Sequence, residues 1–72
     1  MDILSSKIIS KNIKKYRKKL GLSQDQLARK ANIPYSTYLK IESGYIPNPS
    51  IQTVLNIAEA LNITIDELVG RK

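Results

Sequence analysis

The chain has 72 residues with no Cys, His, Trp or Phe, and its twelve Lys plus Arg against six Asp plus Glu give a formal net charge of +6. This length holds one small domain, expected over residues 1–72 with its core at about 6–69, and leaves little room for an elaborate active site. Without Cys or His there is no disulfide, thiolate zinc site, cysteine nucleophile or imidazole base, so no cofactor or metal is expected.

No secretion signal is present, and no stretch approaches the roughly 20 apolar residues that cross a bilayer, so a soluble, cytoplasmic protein is expected. In chain order, Ile9, Ile13 and Leu20, with Tyr16 alongside, recur at three- and four-residue steps. They predict an amphipathic helix over about 6–20 whose other face is lysine, ended by Gly21. Ser23-Gln24-Asp25-Gln26 fits a capping box, and Leu27, Ala28 and Ala31 supply the buried stripe of a second helix. Asn32 suits the left-handed position after it. Pro34 pre-sets a third helix through about Ser43, and Gly44 ends it.

Beyond the loop Tyr45-Ile46-Pro47-Asn48-Pro49, Ser50 opens a fourth helix with Ile51, Val54, Leu55, Ala58 and Leu61 on one face, closed by Asn62. Thr64-Ile65-Asp66-Glu67 is a second capping box and opens a final short helix containing Leu68 and Val69. Ile46, Ile57 and Ile65 fall outside these stripes. The fold is expected to be all-α with five helices, with frayed ends at residues 1–5 and 70–72.

Charge is unevenly distributed: residues 1–30 carry a net +7 and residues 31–72 a net −1. Such an asymmetry suits a basic face presented to a polyanion, and equally a solvated lysine face. The second and third helices are separated by a turn as short as that of a helix-turn-helix. Projected at 100° per residue, Pro34, Thr37, Tyr38 and Ile41 share one side of the third helix, suited to packing on the second. Tyr35, Ser36, Leu39, Lys40 and Ser43 share the other. Hydroxyls, one ring, one cation and one aliphatic chain form a surface suited to base edges in a major groove.

The runs SQDQLARKANIPYSTYLKIESG and NPSIQTVLNIAEALNITIDEL resemble the Cro and lambdoid-repressor type of helix-turn-helix domain, the xenobiotic-response-element family. The resemblance covers residues 8–69 and rests on Ser23-Gln24-x-x-Leu27-Ala28, Ile41-Glu42-x-Gly44, Ala58-x-x-Leu61 and Asp66-Glu67-Leu68 in order. It implies a compact lambda-repressor-like domain that binds double-stranded DNA as a transcriptional regulator, chiefly a repressor. By the same resemblance Tyr35, Ser36 and Lys40 read bases, and Gln24 bonds a phosphate while bracing the first residues of the recognition helix. Arg17 and Glu42 match a partly buried ion pair that also orients Arg17 towards phosphate. Ser43, Gly44, Tyr45 and Asn48 match a backbone-contacting loop. Leu39 either meets a thymine methyl or is covered by neighbours. Pro34 stands where the family usually has a Ser or Thr cap, and Asn32 where it often has glycine.

A single recognition helix reads few base pairs, so a homodimer on a two-fold operator is expected; Ile65 matches a position at the family's dimer contact, and a C-terminal dimer surface is expected around Ile65, Asp66 and Val69. Pairing only on DNA fits as well. With no sensor domain, a stand-alone regulator would be controlled by its concentration or by a partner. An antitoxin or other protein-interaction module, with a toxin as partner, is the alternative. A basic membrane-surface helix fits poorly without Trp or Phe anchors. Catalysis lacks a phosphate loop or a nucleophile beside a base.

Overall fold

Capping chemistry sets the helix boundaries. The computed structural model describes residues 6–46 and 49–70, and within them α1 (Ser6–Lys19), α2 (Gln24–Lys30), α3 (Tyr35–Glu42), α4 (Ile51–Ala60) and α5 (Ile65–Val69) follow one another. Among the described residues there is no strand, as the all-α expectation required. The Ser23 hydroxyl accepts from the Gln26 N–H at 3.1 Å while Gln26 Oε1 accepts from the Ser23 N–H at 2.8 Å. Thr64 and Glu67 make the same reciprocal pair at 3.1 and 2.9 Å, and Ser50 caps Thr53 at 3.2 Å. α3 has no side-chain cap: Pro34 occupies its N-cap with φ −58° and ψ 142°, a backbone already shaped for helix entry.

The other ends share one solution. In α1 to α4 a left-handed residue (Gly21, Asn32, Gly44, Asn62) follows the last turn. The N–H of the next residue then reaches back to a helix carbonyl: Leu22 to Arg17 at 3.1 Å, Ile33 to Ala28 at 3.0 Å, Tyr45 to Lys40 at 2.9 Å, Ile63 to Ala58 at 3.0 Å. These are Schellman closures, which normally cover the helix end with an apolar side chain. Leu22, Ile33 and Ile63 do pack against the core. Tyr45 does not; it is 75% exposed. The carbonyls ending α5 gain a partner from α1, where Asn12 Nδ2 donates to the Leu68 oxygen at 2.9 Å.

α1 packs on α3 and α5, α2 on α3 and α4, and α4 on α5. Their shared core is anchored by Ile9, Ile13, Leu27, Tyr38, Ile57 and Leu68. Three sequence expectations are corrected. At α4 and its C-cap Val54, Ala58 and Leu61 are buried as expected, but Ile57 and Ala60 join them whereas Ile51 and Leu55 face solvent, because α2 and α5 pack on the side of the helix that carries Ile57. Leu20, expected in the α1 stripe, is half exposed because the helix has already ended at Lys19. Val69, expected at a dimer contact, belongs to the core.

The α4 assignment separates two isoleucines by their energetic weight. Ile57→Ala should cost about 2–5 kcal/mol of unfolding free energy. Ile51→Ala should stay within about 0.5 kcal/mol of the parent, both read by urea denaturation.

Candidate nucleic-acid interface

The turn between α2 and α3 is four residues, Ala31 to Pro34, closed by the left-handed Asn32, so the two short helices pack directly on each other. Tyr38 and Ile41 turn inward. Tyr35, Ser36 and Lys40 are left exposed, and Leu39 is half-buried. An open groove of about 550 Å³ runs beside this face, lined by Gln24, Leu39, Lys40, Ser43 and Tyr45 together with Lys14 and Glu42. Five residues expected to touch nucleic acid thus meet at one surface. Lys14 joins them from α1; the lysine run gave no signal to single it out. Gly44 takes φ +81° and sends the chain out of α3, its backbone adjacent to Ser10 of α1. Asn48 lies outside the described residues.

Beneath the groove is a buried carboxylate. Glu42 is 4% exposed and accepts from three helices. Arg17 of α1 grips it with a fork, Nε to Oε1 at 2.9 Å and Nη2 to Oε2 at 3.1 Å. Gln24 Nε2 of α2 donates to Oε2 at 2.9 Å. The Tyr38 hydroxyl, one turn back on α3, donates to Oε1. Arg17 Nη1 also donates to the Leu22 carbonyl at 2.9 Å, tying in the turn after α1.

Two expected roles are changed by this geometry. Gln24 braces the last residue of α3, not its first residues, because its amide is drawn to the Glu42 charge. Arg17 is 12% exposed, with one N–H on each of its three guanidinium nitrogens engaged inside the protein, so its fork is turned to Glu42 and only the remaining N–H groups are left for an external phosphate. Sequence reasoning gave Tyr38 a packing role and missed its bond to Glu42. The available signal was a core tyrosine, which needs a polar partner, four residues before a glutamate on the same helix.

Burial alone would raise the Glu42 carboxyl, but the donors from Arg17, Tyr38 and Gln24 outweigh it and hold the group below its ordinary 4.5. Arg17 is raised by its bond to Glu42 against the opposing cost of burial. The Tyr38 phenol is pushed well above its usual value, first by burial and then by the adjacent carboxylate. The lysines of α1 remain outside this network. Lys15 and Lys19 hold their ammonium groups 5.2 and 5.8 Å from the centre of the Tyr16 ring.

A pair of short helices joined by a four-residue turn, a half-polar outward face on the second and a buried ion pair, joined by Gln24, that locks both to α1 define a helix-turn-helix unit. Residues 13–68 match the helix-turn-helix family, and the chain belongs to it, in the Cro and lambda-repressor branch. It is 35% identical over 65 residues to the HTH-type transcriptional regulator SinR of Bacillus licheniformis, covering 90% of this chain and 59% of that protein. It is 38% identical over 63 residues to the cryptic phage CTXphi transcriptional repressor RstR of Vibrio cholerae, covering 88% of this chain and 55% of that one. The chain therefore spans only part of the length of these relatives. A crystal structure of SinR, the master regulator for biofilm formation, in complex with DNA superposes with a TM-score of 0.79 at 37% identity, covering 83% of this chain and 95% of that one.

Because the folded pKa of Glu42 lies below its unfolded value, the stability it contributes is complete above about pH 4.5 and is lost as the pH falls through the folded value. Glu42→Gln should lower stability at neutral pH by about 3 kcal/mol, since it leaves the Arg17 cation buried without its counter-charge. It should also flatten the acid limb of the stability curve, as read by chemical denaturation at a series of pH values.

Proposed function

We propose that this protein is a sequence-specific, double-stranded DNA-binding transcriptional repressor, acting in the cytoplasm, that seats α3 in the major groove. The observation that carries this reading is the groove itself, where Gln24, Leu39, Lys40, Ser43 and Tyr45 converge beside the exposed Tyr35 and Ser36. Lys40 donates to guanine O6 and N7, Ser36 pairs with a base edge, and Tyr35 and Leu39 meet a thymine methyl. Gln24, Ser43, Tyr45 and the amide of Gly44 hold the phosphate backbone, with Asn48 following in the same loop. Arg17 serves from behind by fixing the helices. The α1 lysines supply the long-range attraction. SinR, the DNA-bound relative, and the repressor RstR support the assignment to transcriptional control. Occupancy of an operator that overlaps a promoter is then sufficient for repression, and no catalytic step is required.

Two copies pair on a two-fold site through α5. Asp66 is exposed there and Ile65 is partly so, while Val69 supports the surface from inside the core.

Selection from a random-sequence duplex library, read by fluorescence titration across salt concentrations, tests the proposal. One motif should be enriched, and affinity should fall steeply with salt. Lys40→Ala should remove about 1–3 kcal/mol of discrimination at one base position. Lys18→Ala should instead weaken all sequences alike and lower the salt slope by about 1. Lack of enrichment, or salt-independent binding, contradicts the reading. Ile65→Asp should abolish cooperativity between half-sites while leaving affinity for an isolated half-site unchanged.

A further inference from the structure

The proposed function uses Gln24 directly and Arg17 and Glu42 as its support, but it gives no task to the hydroxyl of Tyr38. This phenol is fully buried. An aliphatic side chain would fill the same core position without the cost of desolvating an oxygen, so the hydroxyl calls for a reason. Its hydrogen-bond partner is Glu42.

We propose that the Tyr38 hydroxyl is a positioning group for DNA docking: it holds Oε1 of Glu42 against α3, so that Oε2 is presented to the Gln24 amide at the edge of the groove. The inference rests on the DNA-binding reading above. The carboxylate torsion of a glutamate is soft, and the bidentate Arg17 fork ties the carboxylate to α1, not to the helix that carries it. The Arg17 fork alone therefore leaves the carboxylate free to follow α1. A phenol has few torsions and, four residues earlier on the same helix, ties the carboxylate to α3 itself. With Oε1 held by Tyr38 and Arg17, Oε2 meets Gln24 Nε2 at 2.9 Å. That bond leaves the second N–H and the carbonyl of the Gln24 amide for a phosphate in the groove.

The charged and titratable groups around Glu42 are few. Arg17 and Lys14 come from α1, and Lys40 shares its helix. Tyr45 comes from the following loop, and α2 contributes the neutral Gln24. Asp25, the acid of α2, is paired with Arg29 at 3.1 Å.

The test is Tyr38→Phe, which removes one oxygen, compared with the parent on the DNA sequence that the parent selects, at a temperature where circular dichroism shows both folded. Affinity should fall about tenfold, the scale of one lost hydrogen bond to a charged group. In a Gln24→Ala background the same substitution should cause no further loss. The acid limb of DNA binding should move to higher pH, because Glu42 loses a donor that favours its charged form. A purely structural tyrosine would lower the melting temperature but leave affinity and the acid limb unchanged, or would add its full effect to Gln24→Ala; either result overturns the proposal.

Should Tyr38→Phe fail to fold, the parent protein supplies the decision by NMR. As Glu42 is protonated, the Tyr38 hydroxyl proton, the Gln24 side-chain amide and DNA affinity should change with one midpoint, and separate midpoints overturn the proposal. If the parent binds no DNA sequence, the functional reading falls and takes this inference with it. If the parent binds and Tyr38→Phe binds equally well, only this inference falls.

Discussion

One carboxylate inside the domain fixes the relation between the three N-terminal helices. Glu42 closes the recognition helix, yet its donors come from α1, α2 and α3 itself. A charge buried to this extent is tolerated only when every lone pair is matched, and here four donor contacts do so. A hydrophobic cluster of the same volume would give comparable stability. It would not fix direction, because apolar contacts tolerate sliding by a fraction of an ångström and a bidentate ion pair does not. The value of Glu42 therefore lies in geometry: α2 and α3 are both short, and neither has enough apolar surface to set the angle between them.

That constraint divides the labour of the basic residues. Arg17 lies within the lysine-rich helix, but its guanidinium is turned inward and its charge is cancelled by Glu42. The attraction of α1 for a polyanion is left to exposed lysines, whose ammonium groups stay hydrated and are screened by salt. Lys14 alone among them lines the groove beside α3, so a field that is otherwise diffuse gains one point of contact at the reading surface. Under the proposed function, choice of sequence falls to the nearly neutral α3, where Lys40 is the only cation. Separating attraction from reading in this way would let phosphate contacts supply affinity while a few side chains supply sequence choice.

Much of this was legible in the sequence, and the boundary of legibility is physical. Caps and closures depend on a few consecutive residues, so Ser23 with Gln26, Thr64 with Glu67 and the left-handed Asn32 and Asn62 lay open to reading. The facing of a helix depends on what stands beside it. In α4 Ile51 and Leu55 satisfy helical spacing as well as Ile57 does, and only the placement of α2 and α5 decides that Ile57 is buried. Val69 shows the same limit, since its side chain is buried in the core of the chain itself. At the candidate site the Arg17 and Glu42 match was visible through family spacing. The Tyr38 bond had only a weak signal, its i, i+4 spacing to Glu42, because it depends on the carboxylate being drawn back over its own helix.

The closure of α3 shows how a fold rule and a functional surface diverge at one residue. Three of the four Schellman closures place an aliphatic side chain against the core, as the motif favours. The fourth makes the same backbone bond, Tyr45 N–H to the Lys40 carbonyl, but leaves its aromatic ring in solvent beside the groove. Helix termination is thus achieved by the left-handed Gly44, the backbone bond and the Ser43 hydroxyl, which donates to the Lys40 carbonyl at 3.0 Å, and the Tyr45 ring takes no part in it. The apolar stabilisation forgone is small, because one closure among four contributes little to a core built from all five helices. In return an aromatic hydroxyl stands beside Ser43 and Lys40, at the point where the chain leaves the recognition helix. Exposure alone does not set this ring apart, since Ile51 and Leu20 are exposed as well; its place on the groove does, and under the proposed function that place is the edge of the DNA-facing surface.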